Sequence, residues 1–254
     1  MNSRKGFTLA EILVALGILA IGMAMVAAIF PAAMEFNRVS HNSTLGTIIC
    51  ENAFVVSELM LTQEIVTSTS LEIYVDDNDD KHIYSEAKPY YLKKDQQRYP
   101  MGKADARTGF AMMARKVPNT GAFQIVTVAY RKTDKDNTVE LVPVSCTFGT
   151  GNDKHLIKTA SPANLRIGTP LINRANGDIA FVDSVNIKKD GIEAGSKGTM
   201  KLPPGRSMSN GSYYVLMERN PTGGVIDSTK IRRSPAIGAM SKMTGLRSDP
   251  QPNE

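Results

Sequence analysis

Hydrophobic and polar positions divide the chain into a short all-apolar start and a long mixed remainder. From Ile12 to Phe30 no residue carries a charge. That run of about 19 residues is long enough to cross a bilayer as a helix, and at the helical rise it covers roughly 28 Å. From Pro31 the pattern becomes amphipathic, and the spacing predicts a helical continuation over 31–67. Pro31 lacks an amide hydrogen, so a kink or local melting is expected there. Leu45, Ile48, Ile49, Asn52, Val55, Val56, Leu59 and Gln63 recur at helical spacing. Their stripe is expected to pack on a sheet as a core-facing helix rather than to form a separate coiled-coil module. Ser68-Thr69-Ser70 reads as the helix exit.

The remainder, 68–240, alternates as short strands. Leu71–Val75 is one. Lys88 to Gly109 is polar, basic and interrupted by Pro89 and Pro100, and reads as a long loop. Phe123–Tyr130 and Val139–Phe148 flank an Asp/Asn-rich turn and are expected to pair as a hairpin. Leu171-Ile172 and Ile179–Ile187 flank a turn at Asn176-Gly177-Asp178. Thr199–Leu202, Tyr213–Met217 and Val225–Ile231 complete the strands. The polar residues 241–254 read as a disordered tail. A helix followed by antiparallel strands is an α+β arrangement: a long N-terminal helix, half transmembrane and half amphipathic, packed on an antiparallel β-sheet headgroup.

The flanks of the apolar run add chemistry. Arg4 and Lys5 precede it, and positive charge there keeps that end cytoplasmic with the bulk of the chain outside. A secretory signal peptide would share these features, and Ala32-Ala33 offers a weak cleavage site. Glu11 does not fit that reading. A carboxylate at the edge of a lipid-facing helix costs on the order of 2–3 kcal/mol or more at depth, so it calls for a function and a cationic partner.

Arg4-Lys5-Gly6-Phe7-Thr8-Leu9-Ala10-Glu11, running into Ile12-Leu-Val-Ala-Leu-Gly-Ile-Leu-Ala-Ile-Gly22, resembles the N-terminus of type IV pilins and type II secretion pseudopilins. The resemblance implies a leader at 1–6, cut between Gly6 and Phe7 by a prepilin peptidase that then N-methylates Phe7. It implies an assembly helix at 7–30, with Glu11 pairing to the N-terminal amine of a neighbouring subunit. Small residues Ala15, Gly17, Ala20 and Gly22 would permit close helix approach. The implied partners are other pilin or pseudopilin subunits, the prepilin peptidase, an inner-membrane assembly platform and the bilayer. The implied place is the inner membrane, single-pass, with a cytoplasmic N-terminus and an outer headgroup, and then the filament. The long headgroup looks more like a minor subunit than a compact major one. The alternative is a membrane-tethered extracytoplasmic enzyme or binding domain that borrows the anchor.

Composition changes this picture little. At 254 residues, 42% hydrophobic and 22% charged, the chain has the make-up of a globular protein beside an anchor. A net charge of +5, with 6% aromatics and no Trp, supports no nucleic-acid surface. No enzyme signature and no cofactor motif stands out. His41, His82 and His155 are isolated and lack metal-ligand spacing. Asp76, Asn78 and Asp80 have the alternate spacing of a calcium loop, but Lys81 replaces its glycine and Ala87 its closing Glu. Gly191 to Gly198 fails the spacing of a phosphate loop. Cys50 and Cys146 are candidates for one disulfide or for two buried thiols.

Overall fold

The computed structural model describes residues 8–63, 65–75, 97–100, 106–148, 156–159, 168–185, 187–188, 191–192, 197–201, 208–219 and 235–246. One helix, α1 (Leu9–Met60), precedes thirteen described strands. These are β1 (Glu72–Val75), β2 (Arg98–Tyr99), β3 (Thr108–Lys116), β4 (Phe123–Arg131), β5 (Thr138–Phe148), β6 (Leu156–Thr159), β7 (Pro170–Asn173), β8 (Ile179–Val185), β9 (Ile187–Lys188), β10 (Gly191–Ile192), β11 (Lys197–Lys201), β12 (Gly211–Arg219) and β13 (Ala236–Thr244). The architecture is the expected α+β one, a long apolar N-terminal helix packed against antiparallel strands. By contacts the chain divides into a unit up to Thr44 and a unit from Leu45 onward.

The second unit is layered. A flat sheet runs in the order β1-β3-β4-β13, with β2 on β3, and a closed barrel runs β11-β6-β5-β12-β7-β8. The pleat sends alternate residues of the flat sheet to opposite faces. Phe110, Met112 and Ala114 of β3, with Phe123, Ile125 and Ala129 of β4, pack on Ile49, Cys50, Ala53, Phe54 and Val56 of α1. Ala111, Met113, Val126, Val128 and Tyr130 face the other way, onto Val139, Leu141, Ile172, Tyr214 and Leu216 of the barrel wall. The same alternation fills the barrel with Val144, Cys146, Phe148, Ile157, Leu171, Ala180, Val182, Tyr213 and Val215. Each large aliphatic side chain so buried contributes about 1.5–3 kcal/mol.

Flat sheet and barrel are tied by a buried cation. The Arg115 guanidinium on β3 donates to Gln124 Oε1 at 2.7 Å and to the carbonyls of Ala175 (2.7 Å) and Asn176 (2.9 Å) in the β7–β8 turn. Burial pulls its pKa down, and the charge of Asp178 opposes that shift. Gly177, at φ +71°, sits under this clamp, where a Cβ would meet the Gln124 side chain at 2.5 Å.

Several expectations need correction. The helix ends at Met60, not near Thr67. The carbonyl of Thr62 accepts the amides of Ile65 and Val66 in a turn, and buried Leu61 and Val66 pull the chain into the core. The β-branched run Ile65-Val66-Thr67 favours extension. Pro31 does not melt the helix, which runs through it. The sequence 88–109 is not all loop, because β2 and the start of β3 lie in it, and β3 itself was not anticipated. The expected β4–β5 hairpin does not form. β4 pairs with β3 and β13, whereas β5 pairs with β12 and β6. The turn between them crosses from sheet to barrel and wraps a barrel carboxylate. Glu218 Oε1 accepts from the Thr133 amide (2.6 Å), the Thr133 hydroxyl (2.7 Å) and Asn137 Nδ2 (2.7 Å). The tail is not disordered from Ser241: β13 continues to Thr244 in register with β4, and Leu246 is buried. The β7–β8 turn at Asn176–Asp178 is as expected.

Candidate assembly site

The first turn of α1 is built by a reciprocal cap. Leu9 is the first helical residue, so Thr8 stands at the N-cap and Glu11 at the third position inside. The Thr8 amide donates to Glu11 Oε2 at 2.8 Å and the Thr8 hydroxyl donates to the same oxygen at 2.9 Å. The Glu11 amide donates back to Thr8 Oγ1 at 3.3 Å. This capping box satisfies helix-end donors that have no intrahelical partner. It also holds the carboxylate against the positive end of the helix dipole. The Thr-x-x-Glu spacing makes it readable from the sequence, although the resemblance pointed to Glu11 only as an intersubunit ligand.

Beyond the cap the first half of the helix has apolar residues on every side. Leu9, Ile12, Leu13, Val14, Leu16, Ile18, Leu19, Ile21, Met23, Met25, Val26, Ile29, Phe30 and Met34 are all exposed. This stretch is apolar and long enough to cross a membrane, and none of it is buried. A helix hydrophobic all round belongs in lipid or among other helices. The first charges after it are Glu35 and Arg38, paired at 2.8 Å. The small residues do not line one face. Gly17 and Ala20 are three apart and share a side, while Ala15 and Gly22 are seven apart and lie on the opposite side. The helix therefore offers two narrow close-approach faces, and a Cβ at Gly17 or Gly22 would meet nothing within 4 Å.

Residues 1–27 match the family model of the prokaryotic N-terminal methylation motif. This is the signature of type IV pilins and pseudopilins. The match covers the first 27 of 254 residues and ends inside α1. No curated protein and no solved structure matches the chain. The motif implies in general a processed subunit that meets other pilin-type subunits and a prepilin peptidase. With the single apolar N-terminal helix, it is consistent with a membrane-anchored, single-pass protein.

Other candidates fall elsewhere. Gly6 and Phe7 lie outside the described residues, as do Asp76, Asn78 and Asp80. Among the described residues no group of three or more His, Cys, Asp or Glu is placed to hold a metal. Cys50 and Cys146 are buried, and neither is in a disulfide. They belong to separate clusters, Cys50 between α1 and the flat sheet and Cys146 inside the barrel, which leaves no disulfide between them. Burial pushes the Cys50 thiol pKa up.

Proposed function

We propose that the chain is a structural subunit of a type IV pilus or type II secretion pseudopilus. A prepilin peptidase cuts between Gly6 and Phe7 and methylates the new Phe7 amine. Subunits then assemble through α1, with Glu11 receiving the N-terminal amine of a neighbour. The observation that carries this reading is the methylation motif at the head of a helix whose first half, Glu11 apart, is apolar and uncovered. In low dielectric a carboxylate and a freshly exposed amine attract strongly, and each relieves the desolvation cost of the other. The capping box supports the same step from within one chain, because it keeps Glu11 at the end of the helix where the amine of a neighbour arrives.

A minor-subunit place is supported by the size of the headgroup, which carries a closed barrel in addition to the sheet that receives α1. The choice between pilus and secretion pseudopilus lies with the machine that extracts the subunit. The test of processing is mass spectrometry of the mature N-terminus from cells with an active prepilin peptidase. A start at N-methyl-Phe7 is expected. Retention of Met1, or a start beyond Ala33 as after signal-peptidase release, overturns the proposal.

A further inference from the structure

Where α1 lies on the flat sheet, the core gathers sulfur. Thr127 of β4 pairs in register with Met112 of β3 on one side and with Met240 of β13 on the other. Residues directly opposite one another across strands share a face. This face is the one that α1 covers, since Met112 belongs to the same buried cluster as Cys50 and Met240 packs against it. Cys50 stands over the middle of the row, its Sγ donating to the Thr127 carbonyl at 3.8 Å. Cys50, Met112 and Thr127 are wholly buried, and Met240 is half-buried on an edge strand. Because Thr127 is short, the flexible thioethers on either side of it can turn towards the thiol above.

Packing alone does not account for Thr127. Its hydroxyl is buried without a hydrogen-bond partner among the described residues, and valine would fill nearly the same volume without that cost. The hydroxyl gains a partner when the sulfur beside it becomes a thiolate. Burial holds Cys50 as the thiol; the Thr127 hydroxyl and the Ala129 amide pull the other way, and the charge of Glu51 adds to burial.

We propose that Cys50, Met112 and Met240 bind a soft monovalent metal ion, Cu(I) or its analogue Ag(I), with the Thr127 hydroxyl donating to the metal-bound sulfur. A thiolate with thioethers is a donor set that selects soft ions. Charge then decides among them. A thiolate and a monovalent ion sum to zero, which a dry core tolerates, whereas a divalent ion such as zinc would leave a net positive charge buried. Binding breaks the S–H bond of Cys50, forms its bond to the metal and the two thioether contacts, and releases the thiol proton to solvent, with no electron transferred. The way in is the outer edge of the sheet, where Met240 is partly open to water.

The test uses the full-length chain in detergent without oxygen, with Cu(I) supplied from an excess of a competing chelator. The anchor carries methionines too, Met23, Met25 and Met34 among them, so affinity is read as the difference between variants. The unmodified chain and Cys146→Ala are expected to show the near-ultraviolet absorption of a Cu(I)–thiolate bond. Cu(I) should also raise the urea midpoint of the headgroup, as a ligand of the folded state does. Met112→Leu and Met240→Leu keep the packing and should each weaken binding about tenfold or more. Thr127→Val should weaken it by about tenfold with the absorption retained. Met113→Leu, on the opposite face of β3, should change nothing. Urea midpoints without metal report whether each variant is folded, and should Cys50→Ala not fold, the comparison of Met112→Leu with Met113→Leu decides. Absorption that survives in folded Cys50→Ala, equal affinity of Met112→Leu and Met113→Leu, or a urea midpoint that falls on adding Cu(I) because the unfolded chain takes the metal would each overturn the site.

Discussion

The two stretches of α1 have opposite relations to water, although one helix spans both. Over Leu9–Thr44 every side chain is exposed except half-buried Asn42, and the apolar residues point in all directions. Over Leu45–Met60 the helix is two-sided: small and apolar residues enter a core, and a separate apolar ridge faces out. The first stretch draws nothing from its own fold and must take its stability from lipid or from other helices. The second is held by its own sheet and has surface to spare. The same amino-acid types thus face outward in both stretches, but only in the second does a core of the chain's own stand behind them. Only the tertiary contacts distinguish the two cases.

Substitutions break this comparison in order of size. Glu11→Ala is expected to abolish recovery of the subunit in filaments while leaving membrane insertion and the headgroup intact. Fractionation and the melting of the headgroup in the same strain check both halves, and normal filament incorporation would refute the pairing role. Arg115→Met lies at the other extreme of the chain's chemistry. It leaves the carbonyls of Ala175 and Asn176 and the Gln124 amide without their donor, and it should cost about 2–4 kcal/mol by urea denaturation of the headgroup. It is expected to have no effect on insertion of the anchor.

A pair of glycines sharpens the contrast inside one element. A Cβ on Gly46 would meet the Ile237 carbonyl oxygen at 2.6 Å, where α1 crosses the bulge of β13. Gly46→Ala must therefore move backbone and should destabilise the headgroup by about 1–3 kcal/mol. Gly17→Ala meets nothing and removes the entropic cost of glycine, so it should raise helix stability by up to about 1 kcal/mol in detergent. If Gly17→Ala nonetheless lowers filament yield, a close helix neighbour occupies that side.

The anchor was legible because charge-free length is a signal that needs no tertiary context. Glu11 was legible because it violates that signal. The cap formed with Thr8 was equally present in the spacing and was passed over. β3 was hidden for a physical reason. Phe110-Ala-Met-Met-Ala is covered on both faces, so it shows no alternation, and Ala and Met carry helix propensity. β4 was readable as a strand, but its neighbours were not. The Asp/Asn-rich link that suggested a hairpin is shaped by Glu218, which lies more than eighty residues away in sequence. The core-facing side of α1 was misplaced because both sides of the helix are apolar. Cys50, Ala53 and Ser57, small enough to approach the sheet, weigh less in a hydropathy pattern than Ile48, Val55 and Leu59, which do not enter the core.

The smallest effect separates the two stretches by pH. The first tyrosine in the chain is Tyr74, so the anchor has none to titrate. In the headgroup, burial pushes the Tyr74 phenol from 10.0 up to about 12, with the charge of Glu72 adding to the shift. Burial also raises Tyr213, against opposing hydrogen bonding with Ser209 and Asn173, and Tyr214, against the charge of Arg174. A raised folded pKa means that the neutral phenol is favoured in the fold. The unfolded chain loses these protons first, near its ordinary value of about 10. The resulting stability is present in full below pH 10 and is lost as pH rises towards 12. Urea midpoints of the headgroup should therefore fall between about pH 10 and pH 12 and stay flat against tyrosine titration below that range. Tyr74→Phe loses the hydrogen bond to the Ile65 carbonyl at 3.2 Å, which should cost about 1 kcal/mol at neutral pH, and it should make the alkaline decline shallower. An unchanged alkaline slope in that variant would move the titration to Tyr213 and Tyr214. The helical signal of the anchor in detergent should not respond to tyrosine ionisation over the same range.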